Sequence, residues 1–416
     1  MRAATRDAFD VVIIGGGIAG NAVAATLARA GKKVLVLERS TVYRDRVLGE
    51  YFQPWGVAEL RTLGLLDTLV QAGGVVITRH VPYDETEQPA ESEAAAARFD
   101  KVIPDVPGGL SVGHPTTCEA LAAAARTAGA TVLRGVERIE LQLGSTATVR
   151  YVLDSAERTA RCRLMVGADG RESAVRRRAG LPVHATEPRL LGAGLLVEDV
   201  RDWPPQQLSI GTEGDRVFFI QPQTRGRGRL YLMYAADQRR RFTGATAARD
   251  FLAGFVLGCV PHCDGIANAK PAGPCAAYPM NDTWMDCPVA EGLALVGDAA
   301  GYSDPHFGQG LSVAVRDARM VSELLLASTD WSPTALKPYV EERAERMRRL
   351  RLSTAMLITL RGEFTPEARE RRRRARQRMR ADPELALWLR AGVVGPEAVP
   401  AWAFDDRVRE RLFAPA

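Results

Sequence analysis

Asp10-Val-Val-Ile-Ile14 runs straight into Gly15-Gly16-Gly17-Ile18-Ala19-Gly20. Four β-branched apolar residues in a row are of the buried-strand type. Asn21 to Ala30 is alanine-rich and helix-forming, and Gly31 sits where a helix ends on a C′ glycine. Lys33 to Leu37 (Lys-Val-Leu-Val-Leu) is a second buried strand, so the opening is one βαβ unit. The glycines fit G-x-G-x-x-G. They serve a tight turn, a close backbone approach to a pyrophosphate and close helix–strand packing. The helix N-terminus then favours negative charge through its free N–H groups and dipole. Glu38 ends the second strand. Its carboxylate can accept both hydroxyls of an adenosine ribose and would repel a 2′-phosphate. Strand, glycines, helix, strand and acid in this order predict a dinucleotide-binding α/β fold. They do not separate FAD from NAD.

Outward from that unit, the 416 residues allow two or three domains. Hydrophobic residues at 46% and charged residues at 25% are ordinary for a globular chain. The net charge of +5 is thin over this length, and much of it sits in Arg371 to Arg380, so it does not argue for nucleic acid. Cys118, Cys162, Cys259, Cys263, Cys275 and Cys287 are mostly scattered, which predicts a reducing compartment. Cys259, His262 and Cys263 lie close together, but no second ligand pair at zinc spacing follows, so no metal is expected. The N-terminus lacks a signal-peptide core. No apolar run approaches the ~20 residues of a membrane span. A cytoplasmic protein without a transmembrane segment is expected.

Further along, 56–71 and 115–128 read as helices, and 131–134, 147–153 and 163–167 as strands. Residues 84–98 are acidic and alanine-rich without a clear strand, and read as an exposed excursion. From 186 to 280 the texture changes. Arg216 to Gln221 and Arg229 to Ala235 carry bulky apolar faces suited to a separate antiparallel sheet. Leu293 to Val296 returns to the buried-strand pattern, a helix follows from Gly310 to Ser328, and 333–416 is helical and arginine-rich.

Gly167-Ala168-Asp169-Gly170-Arg171 follows one strand, and Gly297-Asp298-Ala299-Ala300 another, leading into Pro305-His306-Phe307-Gly308-Gln309-Gly310-Leu311. With the glycine turn and Glu38-Arg39, these segments resemble the three fingerprints of the single-component FAD-dependent monooxygenases of the para-hydroxybenzoate hydroxylase fold. Asp45-Arg46-Val47-Leu48-Gly49-Glu50, Gln53-Pro54 and Leu63-Gly64-Leu65 are similar to the flavin-side loop of squalene epoxidases and of bacterial tailoring oxygenases. Two departures set the chain apart from phenol hydroxylases: Gly301 stands where they usually have His, and His114 where they usually have Arg. The resemblance implies an α/β fold in three parts. A discontinuous Rossmann-like FAD-binding domain spans 1–80, 100–185 and 281–330. An inserted mixed or antiparallel-sheet substrate domain spans 81–99 and 186–280. A helical C-terminal region spans 331–416.

The resemblance also implies roles. Gly15, Gly17, Ile18, Ala19 and Gly20 would cradle the FAD pyrophosphate, with Glu38 and Arg39 at the ribose and the Val136 backbone at the adenine. Asp298 would bond the ribityl chain, or simply cap a helix. Gly308, Gln309, Gly310 and Leu311 would present amides to the flavin N1–C2=O edge, where charge develops. Asp169, with Gly170, would serve both FAD and the reductant, although Asp before Gly is also a common turn element. Arg46 would line the pyrophosphate and the NAD(P)H approach, or be a surface arginine. No second dinucleotide fold is present, so electrons would come from transiently docked NAD(P)H or from reduced flavin of a partner reductase.

The chemistry so implied is oxygen transfer to an electron-rich ring or alkene through a flavin C4a-hydroperoxide, with the cofactor carrying the hard step. No catalytic residue is assigned, because no protein nucleophile is needed and no base stands out. Phe218, Ile220, Tyr231, Met233 and Tyr278 are candidate walls for a small hydrophobic substrate of secondary metabolism; plain core is the other reading of each. An FAD-dependent reductase or dehydrogenase of the geranylgeranyl reductase type shares much of the fingerprint. A flavin-dependent halogenase is disfavoured by the lack of a Trp-x-Trp-x-Ile-Pro segment. A non-catalytic ligand-binding flavoprotein is disfavoured by three intact motifs. Glu370 to Arg380 could bind an acyl carrier with its carrier-bound substrate, an anionic membrane or nucleic acid. A solvated helix face is preferred, and the lack of interleaved aromatics disfavours nucleic acid. A monomer or homodimer is expected.

Overall fold

The strand Arg6–Ile14 lies inside a parallel sheet because its apolar side chains need cover on both faces. In the computed structural model, which describes residues 6–47, 49–144 and 146–415, that sheet runs Val289–Ala290, Leu293–Leu295, Ala156–Gly167, Arg6–Ile14, Val34–Glu38 and Thr131–Arg134, parallel except at Val289–Ala290, with Ala147–Leu153 and Arg138–Gln142 added antiparallel beside Ala156–Gly167. Leu48 of the flavin-side loop lies outside the described residues. The register pairs Ile14 with Gly167 on one side and with Leu37 on the other. The carboxyl ends of the strands therefore bring Gly15, Glu38, Ala168 and Val296 to one edge, where ligands of such sheets bind. The helices Ile18–Arg29, His114–Thr127 and Gly310–Ala327 cover one face and share a single core with the strands.

A second sheet follows the order Lys270–Pro271, Leu190–Glu198, Arg227–Ala235, Arg216–Gln223, Gln207–Glu213, Arg79–Asp84 and Ala97–Arg98, with Ala276–Met280 against Leu190–Glu198. It is antiparallel except where Arg79–Asp84 runs parallel to Gln207–Glu213. The excursion expected at 84–98 is thus corrected. A strand enters it, the helix Pro89–Ala94 and the strand Ala97–Arg98 follow, and Asp84 and Ser92 are buried. Asp84, Glu85 and Glu87 pair with arginines, while Glu91 and Glu93 stay exposed. The helix expected over 56–71 is two, Pro54–Thr62 and Leu66–Gln71, broken at Gly64 with φ +66°.

Alternation along the strands divides the second sheet into two faces. Phe218, Ile220, Leu230, Leu232 and Tyr234 pack outward on Phe242, Phe251 and Phe255. Cross-strand partners on the opposite, inner face are Val217 with Met233, Phe219 with Tyr231, and Gln221 with Arg229.

The C-terminal region consists of Lys337–Arg361, Pro366–Ala381, Leu387–Val394 and Asp406–Phe413, gathered around Trp388. Its arginine run is solvated on one side only, with Arg373 and Arg380 exposed, and the other side corrects the expectation. Arg372 is buried against Asp84 at 2.9 Å, with Glu85 beside it. Arg376 and Arg380 converge on Glu87. Arg378 donates to the carbonyls of Leu412 and Ala414. The run and the acidic segment neutralise each other across about 290 residues of chain. No helix among the described residues is long and apolar enough to cross a membrane.

Candidate functional site

Gly15 has φ +103°, and a Cβ there would collide with the Ala168 carbonyl. A Cβ at Gly20 would collide with the Gly15 carbonyl, so the turn and the helix touch backbone to backbone. Gly17 is different. As N-cap of Ile18–Arg29 it would place a Cβ with nothing within 4 Å, leaving its backbone open to an approaching group. Ile18 and Ala19 are buried in the core, so only their amides, among the unpaired donors of the first helical turn, are available. The Gly16 carbonyl accepts from both Asn21 Nδ2 and the Tyr43 hydroxyl, which holds the turn in place.

The Glu38 carboxylate accepts from the Gly16 N–H and the Ser40 N–H, both at 2.7 Å. It is therefore fixed at the mouth of the turn. Arg39 is solvent-exposed. Val136 is buried and gives its N–H to the Glu38 carbonyl at 3.0 Å. Arg46 is exposed; partial burial lowers the pKa of His114, and the Arg46 charge adds to that.

Ser173 caps the helix Ala174–Arg178, and Asp169 beside it accepts from the Ala174 N–H at 2.7 Å and the Ser173 hydroxyl at 2.5 Å. Both of its oxygens are engaged within this turn. Asp298 meets Arg171 at 3.4 Å, and that guanidinium lies 4.4 Å from the Tyr302 ring centre. Gly308 has φ +64°, and its carbonyl accepts from Gln53 Nε2 at 3.4 Å. The Gln309 side chain is consumed by Trp55 at 2.9 Å and by the Phe307 carbonyl at 2.6 Å. Only backbone remains to it for a ligand. Gly310 opens the helix Gly310–Ala327 with nothing within 4 Å of a Cβ position, while the Leu311 side chain is buried.

Open backbone at Gly17 and Gly310, a fixed carboxylate at Glu38 and another at Asp298 lie along one edge of the first sheet. That chemistry, with two amide-rich helix openings for anionic groups and two carboxylates for sugar hydroxyls, fits an extended flavin dinucleotide.

Of the five wall candidates, Tyr231, Met233 and Tyr278 stand on the inner face of the second sheet, where a Cβ at Gly192 would meet the Tyr278 ring at 2.8 Å. Phe218 and Ile220 do not. They belong to the outer core, one residue out of phase, and Phe219 takes the inner position, 5.8 Å from Tyr231 ring to ring. With a period of two, a one-residue misreading moves a side chain through the sheet.

Sequence reasoning did not find the buried polar frame around this edge. Glu50 accepts from Arg229 Nε at 2.5 Å and from the Tyr231 hydroxyl at 3.2 Å, and Arg229 also grips Asp45. Gln221 donates to the Glu50 carbonyl at 2.8 Å. Together they strap the flavin-side loop to the second sheet. Asp317 accepts from the Gly297 N–H at 2.8 Å and pairs with Arg343 and Arg346. Arg343 in turn donates to the carbonyls of Ala300, Gly297 and Gly301 and so clamps the Gly297–Gly301 turn. Asp304, whose N–H reaches Asp282 at 2.9 Å, is buried, and that burial pushes its carboxyl up to about 7. The arginines sit far away in sequence, and nothing local announces their partners.

Residues 8–353 match the model of the FAD binding domain family, and the chain belongs to it. It is an FAD-dependent oxidoreductase. The chain is 25% identical over 371 residues to a menaquinone reductase of Mycolicibacterium smegmatis, covering 84% of this chain and 85% of that protein. It is 40% identical to squalene epoxidase of Saccharomyces cerevisiae over 80 residues, 19% of this chain and 16% of the other. The p-nitrophenol 4-monooxygenase of Pseudomonas putida has the same fold, with a TM-score of 0.74 at 19% identity, covering 99% of this chain and 100% of that one. The three-part architecture is that of the para-hydroxybenzoate hydroxylase type.

Proposed function

We propose that this protein is a monooxygenase that adds one atom of dioxygen to a hydrophobic organic substrate, by hydroxylation or epoxidation. Substrate, dioxygen, NAD(P)H and a proton are consumed, and oxygenated substrate, water and NAD(P)+ leave; with a partner reductase, reduced flavin takes the place of NAD(P)H. One observation carries the reading: Phe219, Tyr231, Met233 and Tyr278 form an apolar inner wall that the Glu50–Arg229 strap holds against the FAD domain. Such a wall suits an electron-rich apolar substrate and keeps water out.

In this reading the Gly15–Gly20 turn and its helix hold the pyrophosphate, Glu38 the adenosine ribose and Asp298 the ribityl chain. Amides from Gly308 to Leu311 would stabilise negative charge on the bound flavin, with no reorganisation cost. When bound, FAD supplies two-electron redox chemistry and the activation of dioxygen. The wall orients the substrate, and the helix Lys337–Arg361, packed on Pro305–Phe307, closes the site to solvent. Asp304 holds a proton at its carboxyl up to about pH 7.

A second reading, an FAD-dependent reductase, is favoured by the likeness to a menaquinone reductase over 84% of the chain. Rapid mixing of reduced holoprotein with oxygenated buffer distinguishes the two. A transient absorbing species before the oxidised spectrum returns, with 18O from labelled dioxygen in the product, is expected. Direct return to the oxidised spectrum, together with anaerobic reduction of substrate, would overturn the proposal in favour of the reductase.

A further inference from the structure

The helix Lys337–Arg361 ends against the inner face of the second sheet. Ile358 packs there with Ile210, Val217, Met233 and Met280, with Phe219 and Tyr278 alongside. Thr212 donates to the Arg361 carbonyl at 3.4 Å, so the last turn is tied to the strand Gln207–Glu213. This brings Arg361, by its backbone, beside the apolar wall. It is 9% exposed, yet among the described residues it makes no ion pair within 4.0 Å. Other arginines of the C-terminal region behave otherwise: Arg343, Arg346, Arg372 and Arg376 each hold a carboxylate. Asp84 is the carboxylate that acts on Arg361, and Arg372 already holds it.

Two imidazoles lie within reach of the Arg361 charge. His306, next to the Phe307–Gly308 segment, is 3% exposed, and both of its ring nitrogens lack a hydrogen-bond partner among the described residues. His80 stands on the strand Arg79–Asp84 opposite Leu208 and stacks on Phe99 at 5.5 Å. Burial first, and the Arg361 charge second, keep both rings neutral. A buried cation and an orphaned buried imidazole are each costly unless a ligand satisfies them. A neutral imidazole can donate from one nitrogen, and a guanidinium offers a planar fork suited to carboxylate.

We propose that Arg361, with His306 and His80, forms the subsite for an anionic oxygen of the substrate, so that the substrate is an apolar molecule bearing a carboxylate or an ionised hydroxyl. This rests on the proposed function only in taking the inner wall as the substrate's place.

The test uses oxidised holoprotein and equilibrium dialysis with two pairs of probes. 2-Naphthoate is compared with 2-naphthamide, and 2-hydroxy-1,4-naphthoquinone, ionised at pH 7, with its 2-methoxy counterpart. The anion should bind about tenfold tighter or more in at least one pair, as charge-assisted hydrogen bonds require. The pair that shows the preference tells carboxylate from ionised hydroxyl. Arg361→Met should abolish the preference and Arg361→Lys should keep part of it, with FAD content unchanged. If Arg361→Met does not retain FAD, His306→Leu decides instead, by a preference weakened about threefold or more. No preference in either pair, or a preference that survives both substitutions, would overturn the subsite. An anion preference in a protein that only reduces its substrate would sink the monooxygenase reading and leave the subsite standing.

Discussion

Arg229 and Glu50 are joined Nε to Oε2 at 2.5 Å, with both side chains removed from water. The first belongs to the second sheet and the second to the flavin-side loop, 179 residues away. Burial pushes the Glu50 carboxyl up and the Arg229 charge opposes it. Losing one partner of a buried pair leaves an uncompensated charge and costs about 3–5 kcal/mol. Arg229→Met should therefore destabilise by about that much in urea unfolding. The double variant with Glu50→Met should fall short of the two single losses added together by more than about 1 kcal/mol. Strict additivity would show that the strap is not a coupled pair.

Glu38 is fixed by two backbone donors at the mouth of the glycine turn. Glu38→Arg replaces a hydroxyl acceptor with a like charge facing those N–H groups. FAD affinity should drop about tenfold or more, read as flavin retained after dialysis. Unaltered flavin content in a folded variant would contradict the assignment of Glu38 to the ribose.

Asp304 binds its proton more tightly folded than unfolded, because burial raises it to about 7, with Asp282 adding to the rise and the His306 N–H opposing it. The native state then holds more protons than the unfolded state between about pH 4 and pH 7. Stability from this group is fully present below about pH 4 and is lost as pH climbs toward 7. The stability of the parent relative to Asp304→Asn should fall as the pH rises through that window, with a slope no steeper than about 1.4 kcal/mol per pH unit. A flat difference across the window would show that Asp304 titrates normally.

Arg372 and Arg373 are adjacent in sequence and opposite in consequence. Arg372 is 1% exposed against a buried Asp84, while Arg373 pairs with Glu370 at the surface. Arg372→Met should cost about 3–5 kcal/mol, and Arg373→Ala no more than about 1 kcal/mol, in thermal or urea unfolding. Equal small losses would return the whole run to the solvent.

Phe218 and Phe219 separate stability from substrate binding. Phe218→Ala empties the outer core and should cost about 3–5 kcal/mol. Phe219→Ala opens the inner wall and should raise KM for the hydrophobic substrate in steady-state assays. A KM effect from Phe218 and none from Phe219 would reverse the two faces.

Residues that act through their own backbone or their immediate neighbours can be read along the chain. The glycines of 15–20, Glu38 after its strand and the helix opening at Gly310 are local devices whose spacing is their geometry, and they come with the fold class. The break at Gly64 and the phase of Phe218 against Phe219 escape such a reading, because a short apolar run does not reveal which face will find the core. Asp45, Glu50 and Arg229, Asp84 and Arg372, and Asp317 and Arg343 belong to a different class. A buried charge is tolerated only beside its partner, and chain folding, not spacing along it, decides which partner arrives.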